Sequence, residues 1–142
     1  MKPLNYSAIS ALGRLSARAA QAWNRALNRD RLIIETSVNV ANVIINFGSV
    51  DRTQSGGRVA QHSRRGSTHH ITLAADVRWS ITPWQRFWGL GSQDAYAALL
   101  HEFGHALGLP HSDVFSDVMH PELGSTVISA DEAVRARAFL KL

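Results

Sequence analysis

Three histidines and a glutamate lie close together at a spacing that could hold a metal ion. The run His-Glu-Phe-Gly-His-Ala-Leu-Gly-Leu-Pro-His occupies residues 101–111. Residues four apart on an α-helix lie on one face, so the imidazoles of His101 and His105 can reach the same ion. Glu102 is rotated by about 100° from His101 and can lie beside the ion without being a ligand. The pattern predicts a zinc site.

The third ligand must come from beyond this helix, because three side chains of one helix cannot converge on an ion at tetrahedral angles. Gly108 predicts the end of the helix, since glycine adopts left-handed conformations at little cost. Pro110 stiffens the segment that returns His111 to the metal. Three protein nitrogens leave a fourth position for water, which is the arrangement of catalytic rather than structural zinc sites. An ordinary helix with surface histidines is the alternative interpretation.

The elements that must position these residues are predicted from apolar periodicity. Apolar residues three or four apart predict an amphipathic helix over residues 7–28, and near-continuous apolar runs predict buried strands. The predicted strands cover residues 4–6, 32–36, 43–47, 58–62 and 70–75, with loops at 49–57 and 63–68. A helix between the first two strands fits a βαβ crossover in a largely parallel sheet.

Two further helices are predicted from their capping residues. The helix that carries His101 is predicted to begin after Ser92 as its N-cap, with Asp94 in its first turn. A capping box from Ser129 to Glu132 predicts a final helix. The inward side chains of that helix are predicted to be Val134, Ala138 and Phe139.

Four aromatic residues crowd the segment before the motif, namely Trp79, Trp84, Phe87 and Trp88. Large aromatic side chains bury much apolar area, so packing against the helices is the favoured interpretation. An aromatic rim that contacts a substrate is the alternative.

A methionine follows the third histidine by eight residues, within the run Ser-Asp-Val-Met-His-Pro at residues 116–121. Together with the motif at residues 101–111 and with Ser112 directly after it, this run resembles the matrixin branch of the metzincin metallopeptidases. The resemblance identifies residues 116–121 with the Met-turn, a tight turn whose methionine, here Met119, lies beneath the zinc ligands. Astacins and serralysins usually carry a tyrosine two residues after this methionine, whereas here that residue is Pro121.

The resemblance covers roughly residues 4–140 and implies an α/β (α+β) metzincin catalytic domain. Such a domain has a twisted, mostly parallel mixed sheet with one antiparallel edge strand, and three main helices. The segment from Arg58 to Gln61 matches the edge strand, whose open backbone groups can pair with an extended peptide. The backbone around Val59 and Ala60 would align the substrate. Pro121 and Leu123 would lie by the wall of a substrate pocket, where Leu123 replaces a tyrosine common in the family.

The activity implied by the motif and the resemblance is peptide-bond hydrolysis by a zinc-dependent endopeptidase. One catalytic zinc would be held by His101, His105 and His111, and Glu102 would act as general base towards a zinc-activated water. The alternative is a zinc-binding but non-proteolytic structural or adhesion module on a metzincin scaffold. The presence of Glu102 disfavours that module, because a purely structural site has no use for this carboxylate.

Matrixins usually bind a second, structural zinc and also calcium. His62, His70 and Asp76 are the candidate ligands for a second metal here, and His69 lies in the same region. The register departs from the family, since Gln61 stands where the histidine of the edge strand is expected. Solvent-exposed histidines are therefore the favoured interpretation, and calcium has no run of carboxylates to bind it.

Length and composition predict one globular domain over residues 1–142. Of the 142 residues, 45% are hydrophobic and 18% are charged. The absence of cysteine excludes disulfides, thiolate ligands and a cysteine-based latency switch within this chain. The net charge is +4, but the basic residues are scattered without the stripe and interleaved aromatics of a nucleic-acid binder.

The expected partner is a protein or peptide substrate, and the expected state is a monomer. No apolar run is long enough to predict a membrane-spanning helix. The first six residues lack the apolar core of a signal peptide. The sequence leaves the location open, although the family resemblance implies an extracellular or secreted protein.

Overall fold

A five-stranded sheet and two long helices form the body of the computed structural model, which describes residues 1–52, 59–91, 93–122 and 124–142. The strands are β1 (Leu4–Ala8), β2 (Ile33–Glu35), β3 (Val43–Gly48), β4 (Ala60–Arg65), β5 (Thr68–Ala74), β6 (Trp79–Ser80) and β7 (Gln93–Asp94). The helices are α1 (Ser10–Ala26), α2 (Pro83–Trp88), α3 (Ala95–Leu107) and α4 (Ala130–Leu140). None of the helices in the described ranges is long and apolar enough to cross a membrane.

The sheet is mixed, with strand order β2-β1-β3-β5-β4. Its first four strands pair in parallel, and β4 pairs antiparallel with β5 at the edge. This arrangement confirms the predicted fold class. The parallel strands carry β-branched and other apolar residues that are buried from solvent, which suits strands covered by helices. They include Tyr6, Ile33, Val43, Ile45, Ile71 and Leu73.

Helices α1 and α3 pack against each other and against the sheet. Trp23 of α1 is fully buried, and its indole N–H donates to the carbonyl of Leu100 in α3 at 2.8 Å. The ring of Phe103 meets the ring of Tyr6 edge to face, with centroids 5.5 Å apart. Burying a side chain the size of Phe103 stabilises a fold by roughly 1.5–3 kcal/mol. These contacts fix α3, which carries the motif, relative to the sheet.

Several predicted boundaries differ from those of the structure. The first strand continues to Ala8, so α1 begins at Ser10 rather than at residue 7. The predicted loop at residues 63–68 is wrong, because β4 continues to Arg65 and turns at Gly66 with φ +62. Helix α3 begins at Ala95, and the side chain of Asp94 caps it. The predicted cap Ser92 lies outside the described residues, as does Arg58 at the start of the predicted edge strand.

The prediction that the aromatic residues before the motif are packed in the core is wrong for three of the four. Trp79 is buried, but Trp84, Phe87 and Trp88 are 66%, 78% and 57% exposed on α2. This short helix begins with a capping box between Thr82 and Gln85 and ends at a left-handed glycine. Its aromatic rings pack on one another, with centroids 5.1 and 5.5 Å apart, rather than on the core.

The inward face predicted for α4 is also wrong. Val134, Ala138 and Phe139 are exposed, whereas Ala133 and Ala136 are buried together with Glu132. The helix therefore presents its small residues and one carboxylate to the body of the molecule. The carboxylate of Glu132 faces inward, where it accepts the backbone N–H groups of Val118 and Met119.

Candidate metal centre

The three histidines of the motif converge on one point. The Nε2 atom of His101 lies 3.1 Å from that of His105 and 3.3 Å from that of His111. The ligand atoms of all three histidines lie within 4.8 Å of one another, and among the described residues they form the one group of three or more suited to a metal ion. His101 is buried, His105 is half-buried and His111 is exposed. The point on which the three rings converge is therefore open to solvent on the side of His111.

The tautomers of two of these rings are fixed by backbone carbonyls. Nδ1 of His101 lies 2.8 Å from the carbonyl oxygen of Val118, and Nδ1 of His105 lies 2.9 Å from that of Leu109. A carbonyl only accepts, so each Nδ1 must carry the proton and each Nε2 must present a lone pair. Burial lowers the pKa of His101 to about 4, which keeps this ring neutral at neutral pH. Two lone pairs 3.1 Å apart are the arrangement of two metal ligands, not of a hydrogen bond.

The nitrogen spacing fits zinc. With Zn–N distances of about 2.0–2.1 Å and tetrahedral angles, ligand nitrogens lie about 3.3 Å apart. The two separations from His101 are 3.1 and 3.3 Å. Histidine ligands whose other nitrogen donates to a carbonyl are typical of zinc sites, because that bond holds the ring in position. The residues present can therefore hold zinc through three imidazoles.

The end of α3 carries the chain from the second histidine towards the third. Gly108 adopts φ +104, a left-handed conformation that favours glycine. Its N–H donates to the carbonyl of His105, and the N–H of Leu109 donates to the carbonyl of Gly104. This pair of bonds is the Schellman motif, which ends a helix and reverses the chain. The prediction that Gly108 ends the helix is confirmed.

Met119 lies directly beneath α3. It is 3% exposed, and a β-carbon added at Gly104 would come within 2.2 Å of its sulfur. Gly104 lies between the two motif histidines of α3, so its lack of a side chain lets the Met-turn approach the helix closely. The N–H of Ser112 donates to the carbonyl of Met119 at 2.9 Å, which joins the segment after His111 to the turn.

A buried carboxylate holds the Met-turn from the opposite side. The two oxygens of Glu132 accept the backbone N–H groups of Val118 and Met119 at 2.9 and 3.0 Å. Ser129 accepts the N–H of Glu132, as the capping box predicts, but the Glu132 side chain bonds the turn rather than the N-cap. Burial raises the pKa of Glu132, while the two N–H groups favour its charged form. Because Val118 also accepts from His101, Glu132 is connected to a candidate ligand through one residue.

A second network closes the segment between the third histidine and the Met-turn. The hydroxyl of Ser112 donates to Asp117 at 2.6 Å, and Arg135 of α4 pairs with the same carboxylate oxygen. Asp117 is 3% exposed, so the pair is shielded from solvent on the carboxylate side. The contributions of Gly104, Asp117 and Glu132 to the Met-turn are not apparent from the sequence, where Gly104 resembles an ordinary helix residue, Asp117 a surface acid and Glu132 part of a capping box.

The candidate general base lies on the same helix as the first two ligands. Glu102 directly follows His101 on α3 and is 4% exposed. A carboxylate on this turn of the helix can lie beside an ion held by His101 and His105 without being one of its ligands.

The edge strand passes next to the metal centre. The ring of His62 in β4 lies nearly parallel to that of His105, with centroids 6.5 Å apart. The N–H of Ala74 donates to the carbonyl of Val59, while Ala60 lies opposite Leu73. In an antiparallel ladder this places the backbone N–H and C=O of every second residue, Ala60, His62 and Arg64, on the side away from β5.

The structure describes three of the four residues predicted around the substrate pocket, namely Val59, Ala60 and Pro121. Ala60 is buried at the start of β4, and Val59 is half-buried directly before it. Pro121 is exposed, two residues after Met119. Leu123 lies outside the described residues.

The residues predicted for a second metal do not come together. His62 faces the same side of the sheet as α3, whereas the neighbouring positions Ser63 and His70 point to the other side. Asp76 forms a two-point ion pair with Arg52, at 2.6 and 2.8 Å. His62 instead contacts His69, with its Nε2 2.7 Å from Nδ1 of that ring. Burial lowers the pKa of His62 to about 4 and also lowers that of His69.

Comparison with known families agrees with this geometry. The family model described as Matrixin matches residues 10–134. The matched range begins with α1 and includes the sheet from β2 onward, the three converging histidines, the Met-turn and the first turn of α4. Because the match covers most of the 142 residues and contains the whole candidate metal centre, the chain belongs to the matrixin family of metallopeptidases.

Proposed function

We propose that this protein is a zinc-dependent endopeptidase with a single catalytic ion held by His101, His105 and His111. The observation that carries the proposal is the pair of carbonyl-anchored rings, His101 and His105, whose Nε2 lone pairs face one point together with His111. Membership of the matrixin family supports peptide bonds as the substrate.

Each element of the centre has a role in this proposal. Zinc, when bound, supplies a Lewis acid that polarises a peptide carbonyl and makes water more acidic. The Glu102 carboxylate accepts a proton from the attacking water and delivers it to the amine of the leaving group. The exposed side of His111 admits the substrate, while the burial of His101 and Glu102 excludes bulk water from the other side.

The edge strand β4 aligns the substrate in this proposal. The outward backbone groups of Ala60, His62 and Arg64 can pair with an extended peptide, which would add a strand to the sheet. His62 lies beside His105, so a peptide paired with β4 passes the metal centre. Pro121 and Leu123 are proposed to border the pocket for a substrate side chain, because they follow Met119 in the chain.

The test compares the wild type with Glu102→Gln on a diverse peptide library, with and without a chelator. We expect the wild type to cleave peptides and to lose this activity with the chelator. Glu102→Gln should retain zinc but lose about 10²–10⁴-fold in turnover, the usual contribution of general acid–base catalysis. Glu35→Gln, at an exposed glutamate at the end of β2, is the matched control and should behave as wild type.

Two results would contradict the proposal in different ways. Wild-type protein that carries one zinc but cleaves nothing in the library would favour the non-proteolytic scaffold module. A Glu102→Gln variant that cleaves as fast as the wild type would retain the peptidase but remove Glu102 from its mechanism.

A further inference from the structure

The exposed face of α1 carries positive charge along its whole length. Arg14, Arg18 and Arg25 are exposed on it, and the helix contains no acidic residue. These arginines are four and seven residues apart in the sequence, so the pitch of the helix brings them to one side. None of the three forms an ion pair with another described residue. This side of the molecule therefore attracts anionic groups.

A groove lies between α1 and α4, beside the C-terminal part of this basic face. Its volume is about 570 Å³, within the range of about 300–1,000 Å³ that is typical of ligand sites. Small or apolar side chains form much of its surface, namely Ala22, Ala26, Val127, Ile128, Ala133 and Val134. Arg25 and Arg137 line it as well, and the described lining residues include no acid.

Two exposed valines make the groove more than a charged surface. Val127 and Val134 are 70% and 56% exposed. Single exposed apolar side chains are common, but these two line one groove together with three alanines. An apolar centre with a charged rim is the composition of a surface that binds another polypeptide.

The two arginines of the groove are placed to receive carboxylates. Arg137 of α4 donates to the backbone carbonyl of Ala26, which ties α4 to the end of α1 and keeps the guanidinium at the groove. Arg25 forms no hydrogen bond or ion pair with another described residue. A guanidinium group pairs with a carboxylate through two parallel hydrogen bonds, so each arginine can hold one acidic side chain.

The lining of the groove favours a peptide over a nucleic acid. Tyr96 is the one aromatic residue among the described lining residues, and it is 7% exposed. The guanidinium carbons of Arg18 and Arg86 already lie 5.1 and 4.9 Å from the centroid of its ring. Single-stranded nucleic acids bind by stacking bases on accessible aromatic rings, and this groove offers valines and alanines instead.

We propose that the groove between α1 and α4 binds an acidic peptide segment of a partner protein. Its carboxylates pair with Arg25 and Arg137, and its apolar side chains cover Val127 and Val134. The walls of the groove are helices rather than strand edges, so the segment is recognised mainly through its side chains. The groove shares no residue with the three-histidine centre, so this binding does not depend on peptidase activity.

The experiment measures the fluorescence anisotropy of a labelled peptide of alternating glutamate and leucine residues. All proteins carry Glu102→Gln, so that the cleft does not consume the peptide. We expect Arg25→Glu to weaken binding by about two- to thirtyfold, because reversal removes an exposed charge pair and adds a repulsion of similar size. Arg25→Gln should lie between, and the loss should shrink as salt is added.

The matched control is Arg65→Glu, at an exposed position of β4 outside the groove. It changes the net charge of the protein equally and should bind the peptide like the parent protein. Val134→Ser should weaken binding by about three- to tenfold, because it removes apolar area that the peptide covers. Peptides with glutamine in place of glutamate, or serine in place of leucine, should bind more weakly.

Three results would overturn the site. The first is no binding of the glutamate–leucine peptide. The second is an equal loss in Arg25→Glu and Arg65→Glu, which would mean attraction by net charge alone. The third is single-stranded DNA, or the peptide with serine in place of leucine, that binds as tightly and is weakened by Arg25→Glu. That result would make α1 a general polyanion surface rather than a peptide groove.

Discussion

The two histidine groups of this protein lie side by side but are held in different ways. In the three-histidine centre, Val118 and Leu109 accept from the Nδ1 atoms of His101 and His105, so the Nε2 lone pairs are directed before any metal arrives. In the neighbouring pair, His62 and His69 bond to each other. A ring oriented by a carbonyl presents its other nitrogen to its surroundings, whereas His62 and His69 use one nitrogen each in the contact with the other ring.

The difference extends to the supporting structure. The centre is supported by α3, by the Met-turn and by the Glu132 carboxylate of α4. The pair is supported by a two-strand hairpin at the edge of the sheet. The histidines held by three surrounding elements therefore have their rings oriented by backbone carbonyls, whereas those on the hairpin are oriented by each other, and variants around the centre can test what that support contributes.

The largest effect is expected from His105→Ala, which removes a directed imidazole from the centre. Zinc content after gel filtration should fall from one ion per chain to a small fraction, since loss of a hydrogen-bond partner of a ligand alone costs about 10–100-fold in metal affinity. His120→Ala is the control, because that ring lies one residue beyond Met119 and is not part of the group. Full retention of zinc in His105→Ala would mean that the ion is held elsewhere.

The next effect is expected from Glu132→Gln, which tests whether support from α4 matters to the centre. An amide offers only one oxygen to the two N–H groups of Val118 and Met119. A buried donor that loses its partner costs about 1–3 kcal/mol, so the free energy of unfolding should decrease by that amount. Zinc affinity should fall by about 10–100-fold.

The matched control for Glu132→Gln is Asp131→Asn at the adjacent, exposed position of α4. Asp131→Asn should lower the free energy of unfolding by only about 0.3–1 kcal/mol, because it changes the charge at the helix N-terminus and removes no buried hydrogen bond. Equal losses in both variants, measured by denaturant unfolding, would indicate a general effect of α4 charge rather than support of the Met-turn.

A third prediction concerns the close approach of Met119 to α3. In Gly104→Ala the new β-carbon would lie 2.2 Å from the Met119 sulfur and 3.2 Å from a ring carbon of Trp23. Overpacking of this kind costs about 1–3 kcal/mol. Gly13→Ala in α1 meets no atom within 4 Å and should instead stabilise by about 0.5–1 kcal/mol. Thermal unfolding of the two variants should therefore shift in opposite directions, and shifts in the same direction would argue against a tight helix–turn contact.

The smallest effect on zinc is expected from Ala60→Pro in the edge strand. Its N–H points away from β5, so proline removes a group available to substrate but no bond of the ladder. Zinc content should stay at wild-type level while peptide turnover falls. Gln61→Pro is the control, since its N–H points towards β5, and it should lower the melting temperature more. Unchanged turnover in Ala60→Pro would mean that the peptide does not pair with this part of β4.

The convergence of the three motif histidines was predictable from the sequence because it is local. His101 and His105 need only the pitch of one helix, and His111 needs only the left-handed turn at Gly108. The parallel strands and the helix between the first two follow from apolar runs and periodicity in the same way. The single domain over residues 1–142 and the catalytic role of Glu102 stay predictions.

Only the tertiary structure decided the contacts between elements that are distant in the chain. In the sequence Glu132 has the spacing of a capping-box residue. In the structure its carboxylate accepts the backbone N–H groups of Val118 and Met119, which lie 14 and 13 residues earlier in the chain. Trp84, Phe87 and Trp88 have the composition of a core but lie on an exposed helix. His62 and His69 meet because of strand register, which no spacing along the chain specifies. The sequence by itself determined the sheet and which three histidines converge, because helix pitch and apolar periodicity are local properties. The contacts that hold the three-histidine centre in place, such as those of Glu132, depend on which surfaces pack together. That packing is decided only when the whole chain has folded.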